Sequence, residues 1–477
     1  MSLLAEMDAS PEVADPASAS HRFADQITAA ARWIFWVLGA GILGVTPWLM
    51  GGNNSAGYYW TLWIGRASAV PLALWLGACL LRKRMPGAEF WVPVTCWTLL
   101  AAQIIASTYN PSSRPVLPWL GHGFDPLPHN PHWPSTAFRV ATVLEAHFWL
   151  GLGLLALTAR NLGLSAAQLR GLLWILAGTT AILALVGIPF KFSGEMLILG
   201  RWKAPEWYFY STFLYHNHWC AFALLGISAT VALFVAHQNC WVRAALAVMG
   251  GAIAASAPLS TSRLGTLAMA GFIIVIIVAF ARQKWMPRSR TFSLLIAGGL
   301  LGAVAVGAGV FYLYKSRGAP AGHRTWAKVL SSNPFGSRQM IAEDTIPMIR
   351  DKPWFGWGLS GFGGGFRFYQ RPETRIVYNQ GRITLCDHAH NDWLERLVEF
   401  GFIGFSLFIA PGVVWFRIAT RLGPRGLLEH WTLIGCVAVM VFALGDMAFI
   451  NRAVAASFAL LFPLSLRPNM RVTGSRR

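Results

Sequence analysis

The chain has 477 residues, of which 55% are hydrophobic and 12% charged, and its net charge is +19. Soluble domains carry about 25% charged residues, so an ordinary soluble enzyme is excluded and the apolar stretches must be measured against a bilayer. The basic excess has to be sorted by membrane side before it is read as a nucleic-acid surface.

In chain order, the first 25 residues hold Glu6, Asp8, Glu12, Asp15 and Asp25 among Pro and Ser. They lack the basic start and apolar centre of a signal peptide, and residues 1–31 read as a disordered cytoplasmic tail. Apolar runs of about the 20 residues that a span requires follow near 33–50, 58–81, 89–107, 139–159, 171–189 and 213–236. Six more lie near 243–260, 264–281, 292–314, 397–416, 428–449 and 453–466. The expected fold is an all-α polytopic membrane protein of about twelve transmembrane helices with a large outer-loop subdomain.

With the N-terminus cytoplasmic, the short inner loops carry Arg82, Lys83 and Arg84, then Arg160 and Arg170, Arg243, the basic run from Arg282 to Arg290, and Arg417, Arg421 and Arg425. That distribution obeys the positive-inside rule. The expected organisation is the tail at 1–31, nine spans over 32–314, an outer loop at 315–392, and three spans with a cytoplasmic tail over 393–477. A smaller outer segment, 108–138, is dense in Pro, Trp and His and should form an ordered, irregular cap, because proline at this density forbids regular structure. From Lys315 to His390 the large loop holds eleven Lys or Arg against five acids. Either an anionic ligand or anionic lipid headgroups would account for that charge.

The six cysteines are scattered without a CxxC pair and suggest neither a zinc site nor a disulfide framework. The GFGGGF stretch at 361–366 lacks the GK[ST] ending of a phosphate-binding loop and reads as a flexible turn. Glu145, His147 and Asp446 fall inside apolar runs and need partners or a function. Asp446 is expected to pair with nearby Arg452, and Glu145 and His147 to take part in interhelical hydrogen bonds or line a polar route.

The most informative passage is DHAHNDWLERLVEFGFIGF, Asp387 to Phe405. Asp392 followed by Glu395 has the spacing of a capping box, so a helix should begin just after His390 and hold it at the outer surface. Gly401 and Gly404 share a helical face that would admit a close neighbour. Asp387, His388, His390 and Asp392 could also be read as a metal cluster, although their spacing is unspecific.

This passage resembles the signature of the O-antigen ligase and polymerase superfamily of membrane glycosyltransferases: His390, Asn391, nine residues, Gly401, two residues, Gly404. STSRLGTLA, 260–268, looks like the family's Ser-Arg-Gly segment, with Arg263 in the place of the Arg and Leu264 as an extra residue before Gly265. GSRQMIAEDTIPMIRDKPWFGWGLSGF, 336–362, is similar to the family's run from an Arg to Pro, Gly, Gly and Phe, here Arg338, Pro353, Gly356, Gly358 and Phe362. LYHNHWCAFALL, 214–225, resembles the family's Asn-containing segment, and its aromatic rings suit sugar stacking or an interfacial belt, the belt being the simpler reading.

The resemblance implies a GT-C-like membrane fold in the bacterial inner membrane, with both termini cytoplasmic and the active site periplasmic. It further implies transfer of a saccharide from an undecaprenyl-diphosphate carrier to an acceptor hydroxyl with inversion and without metal or cofactor. The acceptor would be lipid A core, a growing glycan or a protein hydroxyl; membrane lipids are the other expected partners and nucleic acid is not. A neutral imidazole can take up a hydroxyl proton near neutral pH, which is the role expected of His390. Guanidinium groups suit a departing diphosphate because they bind it bidentately, which points to Arg263 and Arg338. Asn391, Asn217, Tyr215 and Arg452 are the expected substrate contacts. Each basic residue has a structural alternative, such as Arg263 anchoring at the interface. Two other classes stay open: a bicarbonate-like solute transporter, which would place its site at the midplane on broken helices, and a non-catalytic scaffold.

Overall fold

A computed structural model of the chain describes residues 16–115, 124–192, 196–204, 208–282, 336–374, 376–377, 383–384, 386–423 and 425–467. Its helices are α1 (Pro16–Gly44), α2 (Ser55–Ala67), α3 (Ala69–Leu81), α4 (Ala88–Thr108), α5 (Arg139–Leu162), α6 (Ala166–Phe192), α7 (His216–Ala236), α8 (Cys240–Leu259) and α9 (Arg263–Arg282). They continue as α10 (Gly336–Asp351), α11 (Phe362–Phe366), α12 (Asp392–Arg421), α13 (Leu427–Phe442) and α14 (Arg452–Ser465). Among the described residues nine helical stretches are long and apolar enough to cross a membrane, with α2 and α3 forming one of them, and α13 and α14 are shorter apolar helices. The expected span at 292–314 and the start of the large loop, 315–335, lie outside the described residues.

The bundle is organised around α7, whose apolar residues run all round its surface and are almost all buried, as expected for a central helix. It packs against α13, α8 and α6. Peripheral helices instead leave large apolar side chains such as Trp63, Ile274 and Trp241 exposed, the surface that lipid would cover.

Helix α1 begins at Pro16, so residues 16–31 of the expected disordered tail are helical. Ala24, Thr28 and Ala31 form a buried stripe at helical spacing, and Arg82 reaches across to Asp25 at 2.5 Å and Thr28 at 3.2 Å. Residues 1–15 lie outside the described residues.

The described parts of the expected cap, 108–115 and 124–138, are mostly irregular, as their prolines require, with one antiparallel ribbon of β1 (Ser113–Pro115) and β2 (Phe124–Pro126). Two more ribbons pair β3 (Leu197–Ile198) with β4 (Trp202–Lys203) and β5 (Ile376–Val377) with β6 (Ile383–Thr384). The cap and the start of α5 rest on the 352–359 segment: Ala137 N–H donates to the Trp357 carbonyl at 2.8 Å and, from α5, Thr142 Oγ1 to the Leu359 carbonyl at 2.7 Å.

The GFGGGF stretch is not a flexible turn. It forms α11, in which Phe362 and Phe366 stack at 4.9 Å inside a core shared with Ile341, Met348 and Val398. Two phenylalanines one helical turn apart bury together, while the glycines between them let the Trp357 ring approach Gly365.

Helix α12 is interrupted at Gly401, where φ is +64° and ψ −177°, a combination essentially confined to glycine. The carbonyls of Val398 and Glu399, freed by the break, accept from Trp357 and Gly358 N–H at 2.9 Å each. The Phe400 carbonyl accepts from Gln103 Nε2 at 2.8 Å. Beyond the break, Phe402 and Ile403 N–H donate to the Pro353 and Trp354 carbonyls at 2.7 and 3.1 Å. The Pro353–Gly358 strap thus replaces the missing helical bonds, as an apolar environment demands. The expectation that Gly401 serves side-by-side helix packing is thereby corrected: it lets the strap's backbone cross at the break, and a Cβ there would collide with the Trp354 carbonyl.

Candidate functional site

At one end of the bundle the polar residues singled out in the sequence meet around Asp446, whose side chain is 0% exposed. Asp446 lies in the turn between α13 and α14. Its Oδ2 accepts from Arg338 Nη2 at 2.6 Å, from Asn217 Nδ2 and, more distantly, from the Tyr215 hydroxyl at 3.4 Å. Its Oδ1 accepts from Met447 N–H at 2.8 Å and stands 3.5 Å from His390 Nδ1. The expected pairing of Asp446 with Arg452 is not what forms. Arg452 starts α14 and turns to Glu145 on α5, at 2.6 Å, while Asp446 faces Arg338 of α10.

His390 is placed by its neighbours. Asn391 is the N-cap of α12, its side-chain oxygen accepting from Leu394 N–H at 3.1 Å. The cap is therefore one residue earlier than expected, and Asn391 is engaged in starting the helix. Asp392 is instead buried and accepts from Phe449 N–H at 2.8 Å. Glu395 reaches back to Ala389 N–H at 2.9 Å, a longer reach than the capping box predicts. Between these anchors His390 adopts φ +51°, a left-handed backbone that is unusual for any residue but glycine. Its Nδ1 is buried and its side chain is 27% exposed, so the open edge of the ring is the one carrying Nε2.

Asn217, on the first turn of α7, is buried and fully engaged. Its Nδ2 also donates to the Tyr215 hydroxyl at 2.8 Å, and its Oδ1 accepts from Ser262 Oγ. Ser262 Oγ in turn caps α9 by accepting from Gly265 N–H at 2.9 Å. A continuous polar chain therefore runs from Asp446 through Asn217 to the start of α9, where Arg263 is the first residue, half-buried. Leu264, the residue that departs from the family's spacing, packs toward Gly445. Tyr215 is half-buried with its hydroxyl in this network, so an interfacial belt does not describe it.

On the far side of the α12 start a second group of charges is paired. Arg396 binds Glu395 at 3.0 Å and Glu399 at 2.5 Å. His388 Nδ1 lies 3.2 Å from Glu395. Burial alone would lower the His388 pKa, but attraction and hydrogen bonding to the Glu395 carboxylate outweigh it and raise it above the ordinary imidazole value. Nearer the cap, Lys352 donates to Ser135 Oγ at 2.8 Å, and burial pushes its pKa down to about 8. His147 bonds the Val143 carbonyl of its own helix at 2.7 Å and is exposed.

The four side chains that could be read as a metal cluster diverge. Asp387 goes to Arg367 at 3.3 Å, His388 to Glu395, His390 to Asp446 and Asp392 to the Phe449 amide. Among the described residues no group of three or more His, Cys, Asp or Glu side chains could hold a metal ion.

A multi-span helical bundle with a buried carboxylate orienting a partly open histidine, and an arginine on the same carboxylate, defines a membrane protein with a built polar site at one end. Residues 244–409 match the family model described as O-antigen ligase. The match runs from α8 into α12 and takes in Arg263, Arg338, His390, Gly401 and Gly404. It does not reach Asn217 or Asp446, which the fold brings to the same place. No curated protein matches the chain.

Proposed function

We propose that this protein is a membrane glycosyltransferase of O-antigen ligase or polymerase type. It transfers a saccharide from an undecaprenyl-diphosphate carrier to an acceptor hydroxyl at the periplasmic face of the bacterial inner membrane. The observation that carries the reading is the His390–Asp446 contact, with the carboxylate behind Nδ1 and the Nε2 edge open. A carboxylate there favours the tautomer with the proton on Nδ1 and stabilises the imidazolium that forms during the reaction.

In the proposed step the acceptor oxygen attacks the anomeric carbon from the face opposite the diphosphate. The new C–O bond forms as the bond to the diphosphate oxygen breaks, and the acceptor's proton passes to His390 Nε2. Arg263 and Arg338 stabilise the charge that builds on the leaving diphosphate. Arg338 shares its charge with Asp446. Tyr215 and Asn217 hold Asp446 in position. The acceptor is a lipid A core, growing glycan or protein hydroxyl.

The test is turnover of a synthetic undecaprenyl-diphosphate saccharide by the detergent-solubilised protein with EDTA present. Wild type should release the lipid diphosphate, and His390→Ala and Arg263→Ala, compared at equal folded yield, should lose at least about 10²-fold of the rate. Undiminished turnover by His390→Ala would remove the proposed base.

A further inference from the structure

Helices α5 and α14 both begin near the His390 site, and at their far ends four guanidinium groups come together. Arg32 comes from the middle of α1, Arg160 from the last turn of α5, Arg425 from just before α13 and Arg467 from just after α14. Glu89 binds Arg160 at 2.9 Å. Among the described residues no carboxylate pairs with Arg32, Arg425 or Arg467. The end of α5 takes up part of this charge, as a helix C-terminus does: Arg467 Nη2 donates to the Ala159 and Arg160 carbonyls at 2.7 Å each, and Arg32 Nε to the Leu162 carbonyl at 3.2 Å.

Those bonds leave the outer nitrogens to be met. Arg32 and Arg467 are both partly exposed. Of Arg467 only Nε is enclosed without a partner; Nη1 is open, as are both terminal nitrogens of Arg32. A Cβ at Gly163 would stand 3.1 Å from Arg467 Nη1 and 3.6 Å from Arg32 Nη2. The two nitrogens therefore face one small space over the left-handed turn that ends α5, where φ is +75°. Two like charges held this close without a carboxylate repel each other. Burial, with Arg160 and Arg32 nearby, lowers the Arg467 pKa below the ordinary arginine value. An anion with several acceptor oxygens in that space would accept from both groups, and guanidinium forks suit phosphate oxygens.

The level of the site in the bundle points to a phosphate carried by lipid. Trp33, next to Arg32, is 59% exposed, and an open tryptophan beside arginines is the composition of a membrane interface. Val37, one turn further along α1, is exposed and apolar, which is where acyl chains would begin. Basic pockets between helices at this depth bind anionic headgroups. We infer that Arg32 and Arg467, set over Gly163, bind the phosphate of an anionic phospholipid headgroup at the end of the bundle away from His390. The bound headgroup ties α1 to the segment after α14 across the α5 terminus, and this role is independent of the transferase reading.

Native mass spectrometry of the full-length, detergent-solubilised protein, delipidated and then given equal amounts of phosphatidylglycerol or phosphatidylcholine, reads the site directly. Wild type should retain severalfold more phosphatidylglycerol than phosphatidylcholine. Arg32→Gln and Arg467→Gln should each lose most of that preference, whereas Arg84→Gln, which alters an exposed arginine just after α3, should keep it. Inorganic phosphate in excess should not displace the lipid. If Arg467→Gln does not fold because α5 loses a cap, Arg32→Gln decides. Equal retention of the two lipids by wild type, an undiminished preference in folded Arg32→Gln, or a loss as large in Arg84→Gln would overturn the inference. Displacement by inorganic phosphate would overturn it as well, by showing a site for the free anion.

Discussion

Asp446 joins His390 and Arg338 through opposite oxygens of one carboxylate: Arg338 Nη2 is 2.6 Å from Oδ2, and His390 Nδ1 is 3.5 Å from Oδ1. The two residues come from different ends of the large loop, α10 and the start of α12. A buried carboxylate from the α13–α14 turn is what brings them together.

Asp446→Asn should therefore reduce turnover by about 10²-fold or more, because the amide no longer favours the Nδ1-protonated tautomer and leaves Arg338 without its counter-charge. Removing one partner of a buried ion pair typically costs about 3–5 kcal/mol, so the variant should also melt earlier. Rates normalised to the folded fraction separate the two effects. Wild-type turnover per folded molecule would show that Asp446 does not orient the base.

Gly401→Ala should destabilise the protein more than Gly404→Ala does. At 401 the backbone is one that alanine adopts only with strain of about 1–3 kcal/mol, and the new methyl would meet the Trp354 backbone. At 404 it would meet the amide end of the Gln103 side chain at 2.8 Å, which can move. Gln103→Leu tests the same joint from the other side, since it leaves the Phe400 and Phe355 carbonyls unpaired at about 1–3 kcal/mol for a buried group. Thermal melts in one detergent rank the three, and a Gly401→Ala as stable as wild type would mean that the strap tolerates a regular helix.

The His388–Glu395 pair should make stability depend on pH. The His388 pKa is raised in the folded protein, so its stabilising contribution is complete below about 6.5, the unfolded value, and is lost as pH rises through the folded value. The ring is 38% exposed and so partly screened. Melting temperatures of wild type and His388→Gln should differ most near pH 6 and converge toward pH 8.5. A gap that stays constant across this range would show that the pair carries no titrating contribution.

Composition and apolar run length were sufficient for the membrane class and for nine of the expected spans, the runs at 428–449 and 453–466 forming shorter apolar helices, because crossing a bilayer demands length and hydrophobicity that a one-dimensional reading can measure. The placement of His390 just before a helix was legible for the same local reason, since caps act within a few residues. Other features depend on contacts between residues far apart in the chain. Asp446 was recognisable as an ionisable group in need of a partner, but its neighbour in sequence, Arg452, was the wrong one; Arg338, 108 positions away, is the right one. The break at Gly401 looked like helix packing because glycine at helical spacing serves both purposes. Only the strap at 353–358, by supplying the lost backbone hydrogen bonds, decides that the helix is interrupted there.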